Sequence, residues 1–202
     1  MATSDTEIAN LALSNLGTGK DISSLETGTS QEALACRRFY PTAVDATLRD
    51  FAWPFATKYT TLGLVEADPN TEWAYSYRYP SDCVLMRRIP SGIRNDNRQT
   101  RTPYKIYRDD AGLLVYTDQE TASIEYTARV EDESQYPADF VLAVSYRLSM
   151  MIAPRLTKGD PFNIQEKMEK KYHLALTLAA GNAANEQQEE EDPEAELIRE
   201  RS

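Results

Sequence analysis

The hydrophobic period of this chain changes twice, from helical to alternating and back to helical, and this restricts its possible folds more than any other feature. Apolar residues recur every three or four positions up to Phe51, alternate from about Lys58 to Val130, and return to helical spacing from Pro137. A run with one period cannot bury a continuous apolar side in the other conformation. The middle is therefore read as sheet and the flanks as helix.

Ser4 and Glu7 stand three apart, as in a capping box, and Ile8, Leu11, Ala12 and Leu16 follow at helical spacing until Gly17. Residues 18–28 are rich in Gly, Ser, Thr and Asp, which favour turns, and are read as a loop. Thr29 and Glu32 repeat the capping spacing and predict a second helix with Cys36, Tyr40, Val44, Leu48 and Phe51 on one stripe. Pro41 removes an amide within it and predicts a kink, and Pro54 predicts a stop just before it.

In the alternating segment, Trp73, Tyr75, Tyr77 and Tyr79 fall on one strand face, expected to pack against helices. Cys83 to Met86 reads as a second strand. Asp109, Asp110, Ala111 and Gly112 supply turn chemistry for a hairpin, and Ile124, Tyr126 and Ala128 mark a further strand. Residues 90–103 hold too little apolar surface for a core element, so Arg94, Arg98 and Arg101 are expected on an exposed basic loop, a candidate contact surface.

Phe140, Val141, Val144, Leu148, Met151 and Ile152 predict a third helix, which Pro154 should bend or end. Asp160 and Pro161 read as N-cap and first position of a fourth, with Ile164, Met168, Tyr172, Ala175 and Ala179 buried. Residues 186–202 carry eight acidic side chains against Arg199 and Arg201, with Leu197 and Ile198 their only large apolar pair. Such a segment cannot offset roughly 1 to 2 kcal/mol of backbone entropy per residue, and is expected to be a mobile tail. The expected fold is α+β, mostly α. It is an antiparallel helical bundle (1–57 and 136–185) with an inserted small antiparallel β domain (58–135) and a flexible acidic C-terminal tail (186–202).

Chemical motifs are sparse. With 32 acidic and 22 basic side chains the net charge is −10, which opposes binding to a phosphate backbone. His173 is the sole histidine and is read as structural or exposed, not as a general base. Gly17, Thr18, Gly19 and Lys20 resemble a phosphate loop only superficially, because Ser14 and Asp21 occupy the positions that need glycine and a hydroxyl. Cys36 and Cys83 lack the spacing of a metal or redox pair and are read as reduced thiols. The carboxylates at Glu131, Asp132 and Glu133, and at 189–192, lie in polar stretches that would not raise a pKa. No catalytic residue, metal ligand or cofactor is expected, and the chain is read as no enzyme. Residues 1–5 lack a basic region leading into an apolar stretch, and no window approaches the ~18 apolar residues of a membrane span, so neither membrane insertion nor export by these routes is expected.

Three stretches carry a resemblance to a known family. Arg49-Asp50-Phe51-Ala52-Trp53-Pro54-Phe55-Ala56-Thr57 resembles the segment where tail tubular protein A sequences leave their helical part. Trp73 to Cys83, followed by Val84-Leu85-Met86-Arg87-Arg88-Ile89, resembles the aromatic strand, proline-x-aspartate-cysteine turn and next strand of that family. Tyr136-Pro137-Ala138-Asp139-Phe140, continuing through Arg147 and Leu148 to Ala153-Pro154-Arg155-Leu156-Thr157, is similar to its third helix. The likeness spans roughly residues 5 to 180 in the same order, and the Lys158-Gly159-Asp160-Pro161 junction fits it; the acidic tail matches only in kind.

The resemblance implies a head-to-tail adaptor of a tailed bacteriophage, a ring of about a dozen copies between portal and tail, assembled in the host cytoplasm and carried in the virion at the portal vertex. The helical part would lie toward the capsid and the strands toward the tail or nozzle protein, with Arg94, Arg98 and Arg101 tail-facing. It also implies that the C-terminal segment grips the portal through Leu197, Ile198, Arg199 and Arg201. A net-acidic ring would let DNA pass without specific binding. The alternatives are a nucleic-acid-binding factor using the aromatic strand with those three arginines, and a tail-tube or decoration subunit.

Overall fold

The structure is a computed structural model that describes residues 4–93 and 100–186. It contains four helices and two antiparallel sheets, an α+β arrangement with every strand lying between the second and third helices. The first helix, α1 (Asp5–Asn15), starts at the Ser4 cap: the Ser4 hydroxyl accepts from the Glu7 amide, and the Glu7 carboxylate accepts from the Ser4 amide. Its buried face is Ile8, Ala9, Ala12 and Leu13. Leu11, expected inside, is 42% exposed, because the stripe facing the core runs one position further round the helix.

Helix α2 (Gln31–Asp50) is capped by Ser30, not Thr29: the Ser30 hydroxyl accepts from the Ala33 amide. Thr29 and Glu32 satisfy the spacing of a capping box, but the residue just outside the first helical position supplies the acceptor. Pro41 sits inside α2, which is unbroken across it. The helix ends where Phe51 becomes extended, ahead of Pro54.

One turn of 3-10 helix (Pro54–Ala56) leads into β1 (Thr57–Thr61) and β2 (Leu64–Ala67). Both lie in the segment read as sheet, but the sequence singles out neither as a strand, because almost all their side chains are exposed. The remaining strands are β3 (Tyr75–Arg78), β4 (Cys83–Arg88), β5 (Lys105–Asp109), β6 (Gly112–Thr117) and β7 (Ser123–Ala128). They form a sheet ordered β1-β7-β4 and a second ordered β2-β3-β6-β5. The hairpin expected around Asp110 and Ala111 is present, with Asp109 opposite Gly112.

The aromatic ladder is shorter than expected and packs elsewhere. Trp73 precedes β3 and Tyr79 follows it. Tyr77 is buried in a cluster with Met86, Ile89, Val115, Ile124 and Tyr126, drawn from both sheets, and Tyr75 and Tyr79 pack against the same cluster. Its apolar partners are thus other strands of both sheets, not the helices.

Helix α3 (Ala138–Leu156) packs on α1, α2 and the fourth helix, α4 (Ile164–Glu186). Phe140, Val144, Leu148 and Ile152 are fully buried on α3. Pro154 lies in its last turn. Ser149 ties α3 to α1 by donating to the Ala12 carbonyl. Contrary to expectation, α4 begins at Ile164 and not at Pro161. Asp160 has φ +60° and reaches forward, its two carboxylate oxygens accepting from the Ile164 and Gln165 amides at 2.7 and 2.9 Å. The capping chemistry is right, but the intervening residues form a turn.

Candidate functional site

Residues far apart in sequence, Arg49 to Phe55, Arg87, and Tyr136 with Phe140, meet at the junction between strands and helices. Trp53 is 2% exposed and donates its indole N–H to the Thr47 carbonyl at 2.8 Å, which fixes its ring beneath the end of α2. Phe51 meets that ring edge-on at 5.0 Å and Phe140 of α3 does so at 4.9 Å. Phe140 in turn lies 4.9 Å from Phe55 and 4.8 Å from Tyr136, again edge-to-face. Such contacts pair the positive ring edge with the negative face and are worth about 0.5–1.5 kcal/mol each beyond area burial.

Polar ties complete the junction. Arg49 donates to the Val84 carbonyl at 2.8 Å, while Arg87 donates to the Phe51 carbonyl at 2.6 Å and to the Thr127 hydroxyl at 2.8 Å. Arginine suits this position because its planar fork can serve a helix end and a strand together. Burial lowers the Arg87 pKa. On the α4 side, the Tyr172 hydroxyl donates to Asp50 at 2.8 Å, and Arg147 stacks 5.1 Å over the Tyr172 ring with its guanidinium 3.6 Å from the same carboxylate. Burial, and then the Asp50 hydrogen bond, push the Tyr172 phenol above its ordinary range. The arginine bonds tie the end of α2 to β4 and β7, and the Asp50 contacts tie it to α3 and α4.

A second feature is an open cleft of about 720 Å³ between the two sheets, bordered by Thr60, Arg78, Asp82, Cys83 and Tyr126. Lys58 bonds one oxygen of Asp82 at 2.8 Å, and Tyr126 donates to the other at 3.0 Å. These bonds, Lys58 first, hold the Asp82 carboxyl below its usual range. Burial, helped by Asp82, pushes Tyr126 up to about 12. The Cys83 thiol is pushed up by burial, the opposite of what a nucleophilic thiolate needs.

The third feature is an apolar seam where α3 meets α4. Leu142, Leu174 and Leu178 are 43%, 60% and 60% exposed beside Tyr146 and Ala175, around a groove of about 260 Å³. Lys171 lies 5.7 Å over the Tyr146 ring at one end, and Asn182 bonds Asp139 at the other. Residues 174–185 contain no charged side chain, an unusual stretch for an exposed helix.

Of the residues singled out from sequence, Arg101 is exposed, as expected, whereas Arg94 and Arg98, together with Leu197, Ile198, Arg199 and Arg201, lie outside the described residues. His173 is exposed, its ring 5.7 Å from that of Tyr172. Lys20 pairs with Glu32, so the glycine loop spends its lysine on α2. Tyr77 is 1% exposed with its hydroxyl bonded to the Gln119 and Glu120 carbonyls, so its ring is unavailable for stacking a base. Cys36 is buried and Cys83 half-buried, neither in a disulfide. Among the described residues, no three His, Cys, Asp or Glu side chains are grouped as metal ligands, and no helix is long and apolar enough to cross a membrane. No family model matches the chain, and no curated protein matches it.

Proposed function

We propose that this protein is a head-to-tail adaptor of a tailed bacteriophage, one subunit of a ring between the portal and the tail. In this reading residues 1–57 and 136–185 act as a helical bundle, 58–135 as an inserted β domain pointing toward the tail, and 186–202 as the segment that grips the portal. The observation that carries it is the convergence at one junction of the three stretches that resemble tail tubular protein A: Trp53 and Phe55, Arg87, and Tyr136 with Phe140. A ring subunit that bridges two partners must hold its two parts at a fixed angle. Aromatic edges and arginine forks at the crossing point supply that rigidity.

Two other observations support it. The uncovered leucines of the α3–α4 seam are of the kind that mark surfaces buried in assemblies. The net charge of −10 suits a channel wall past which DNA slides without releasing counterions. Mixed with the portal protein of its phage, the purified chain is expected to form a twelvefold collar by electron microscopy. Deletion of residues 186–202 should abolish docking and leave the melting temperature nearly unchanged. A chain that stays strictly monomeric beside the portal contradicts the proposal.

A further inference from the structure

Both outer edges of the sheet β2-β3-β6-β5 are open: among the described residues no strand pairs with the far side of β2 or of β5. Every side chain of β2, and all of β5 up to Asp109, is exposed, including Leu64 at 56%, Val65 at 45%, Ile106 at 45% and Tyr107 at 38%. Open apolar edges template pairing with another chain.

The backbone alternation shows which groups are on offer. Tyr79 donates to the Leu113 carbonyl, so Leu113 and Val115 of β6 face β3, while Gly112, Leu114 and Tyr116 face β5. Their partners Asp109, Tyr107 and Lys105 are thereby committed to β6, and the amides and carbonyls of Ile106 and Arg108 point outward. At the other edge, Asp68 donates inward to the Ala74 carbonyl, which leaves the polar groups of Ala67 outward.

The sheet has four strands, all antiparallel, so β2 and β5 run in opposite directions. A second copy in the same orientation would present its β2 antiparallel to β5, and the alternation would continue. We propose that β5 of one copy pairs with β2 of the next, with Ile106 opposite Ala67.

Faces and charges agree with this register. Ile106 shares a face with Tyr77 and Val115, and Ala67 with Tyr75, so both lie on the face that covers the strand cluster. On the opposite face, Lys105 stands across from Asp68 of the neighbour and diagonal to its Glu66, a favourable cross-strand pairing. Lys105 lies 4.0 Å from Glu72 and 5.9 Å over the Tyr107 ring, and with its side chain well exposed it can turn to that contact. The bulge between Leu64 and Glu66 confines regular pairing to the Glu66 end of β2, where the acidic groups lie. The contact is heterologous, and such contacts close into rings when the rotation permits. Only the closure rests on the adaptor reading; the pairing stands on the edges themselves.

The test is sedimentation velocity of the full chain without portal, so that its failure leaves the adaptor reading to its own experiment. Self-association that rises with concentration is expected. Ile106→Pro, which removes an outward amide and spares the β5–β6 ladder, should leave the chain folded and monomeric. Lys105→Glu and Asp68→Lys should each weaken association several-fold, and the double exchange should restore it. A wild-type monomer up to millimolar concentration, unchanged association in Ile106→Pro, or a double exchange no better than either single variant overturns the proposal.

Discussion

Replacing Arg87 by methionine tests whether the junction couples the helices to the strands. The side chain makes two charge-assisted bonds, to the Phe51 carbonyl and to the hydroxyl of Thr127, which is fully buried. A hydrogen bond to a charged group is worth about 1.5–3 kcal/mol, and a buried hydroxyl left unpaired costs about 1–3 kcal/mol. Half-buried Phe51 can recover part of its loss by binding water, while Thr127 cannot, and methionine keeps most of the packed stem. The expected loss is therefore about 3 kcal/mol in urea denaturation followed by ellipticity. Location matters more than size. In hydrogen exchange, amides of β4 and β7 should share one opening free energy with those of α2 and α3 in the parent, and should open below them in Arg87→Met. A loss under about 1 kcal/mol, with strands and helices still opening together, would refute the view that this contact joins the two parts.

Phe140→Ala removes a fully buried ring that meets three other aromatics at the same junction. It should cost about 3–5 kcal/mol in denaturant unfolding, and a cost below about 2 kcal/mol would mean the cluster is loosely packed. Ser30→Ala should destabilise by about 1 kcal/mol, while Thr29→Ala changes little, as measured by thermal melts of both. The Asp82 carboxyl has a depressed folded-state pKa, so its stabilising contribution is complete above the unfolded value of about 3.9 and is lost as pH falls through the folded value. Asp82→Asn should flatten the acid limb of the stability profile; an unchanged limb would show that Lys58 and Tyr126 do not hold it.

The helical positions were legible because amphipathic spacing is local: the stripe of Cys36, Tyr40, Val44 and Leu48 is buried as the period demands. Where the expectation missed, the deciding interaction was either one residue away or far away. Ser30 displaced Thr29 through the geometry of a single amide, and Asp160 capped α4 across an intervening turn. Strands β1 and β2 fell within the segment read as sheet but were not singled out, because exposed strands need no apolar face. The ladder of Trp73 to Tyr79 was legible as strand, but its partners came from β4, β6 and β7, which no local pattern names. The junction was legible only as three similar stretches. That Arg87 reaches Phe51, 36 positions earlier in the chain, is a property of the fold.

The most direct measurement is a reconstruction of the intact virion with this chain identified in the density. A head-to-tail adaptor should appear as a ring at the portal vertex between portal and tail, its helices toward the capsid and its strands toward the tail. Copies found instead on the capsid surface, or stacked along the tail, would contradict that reading.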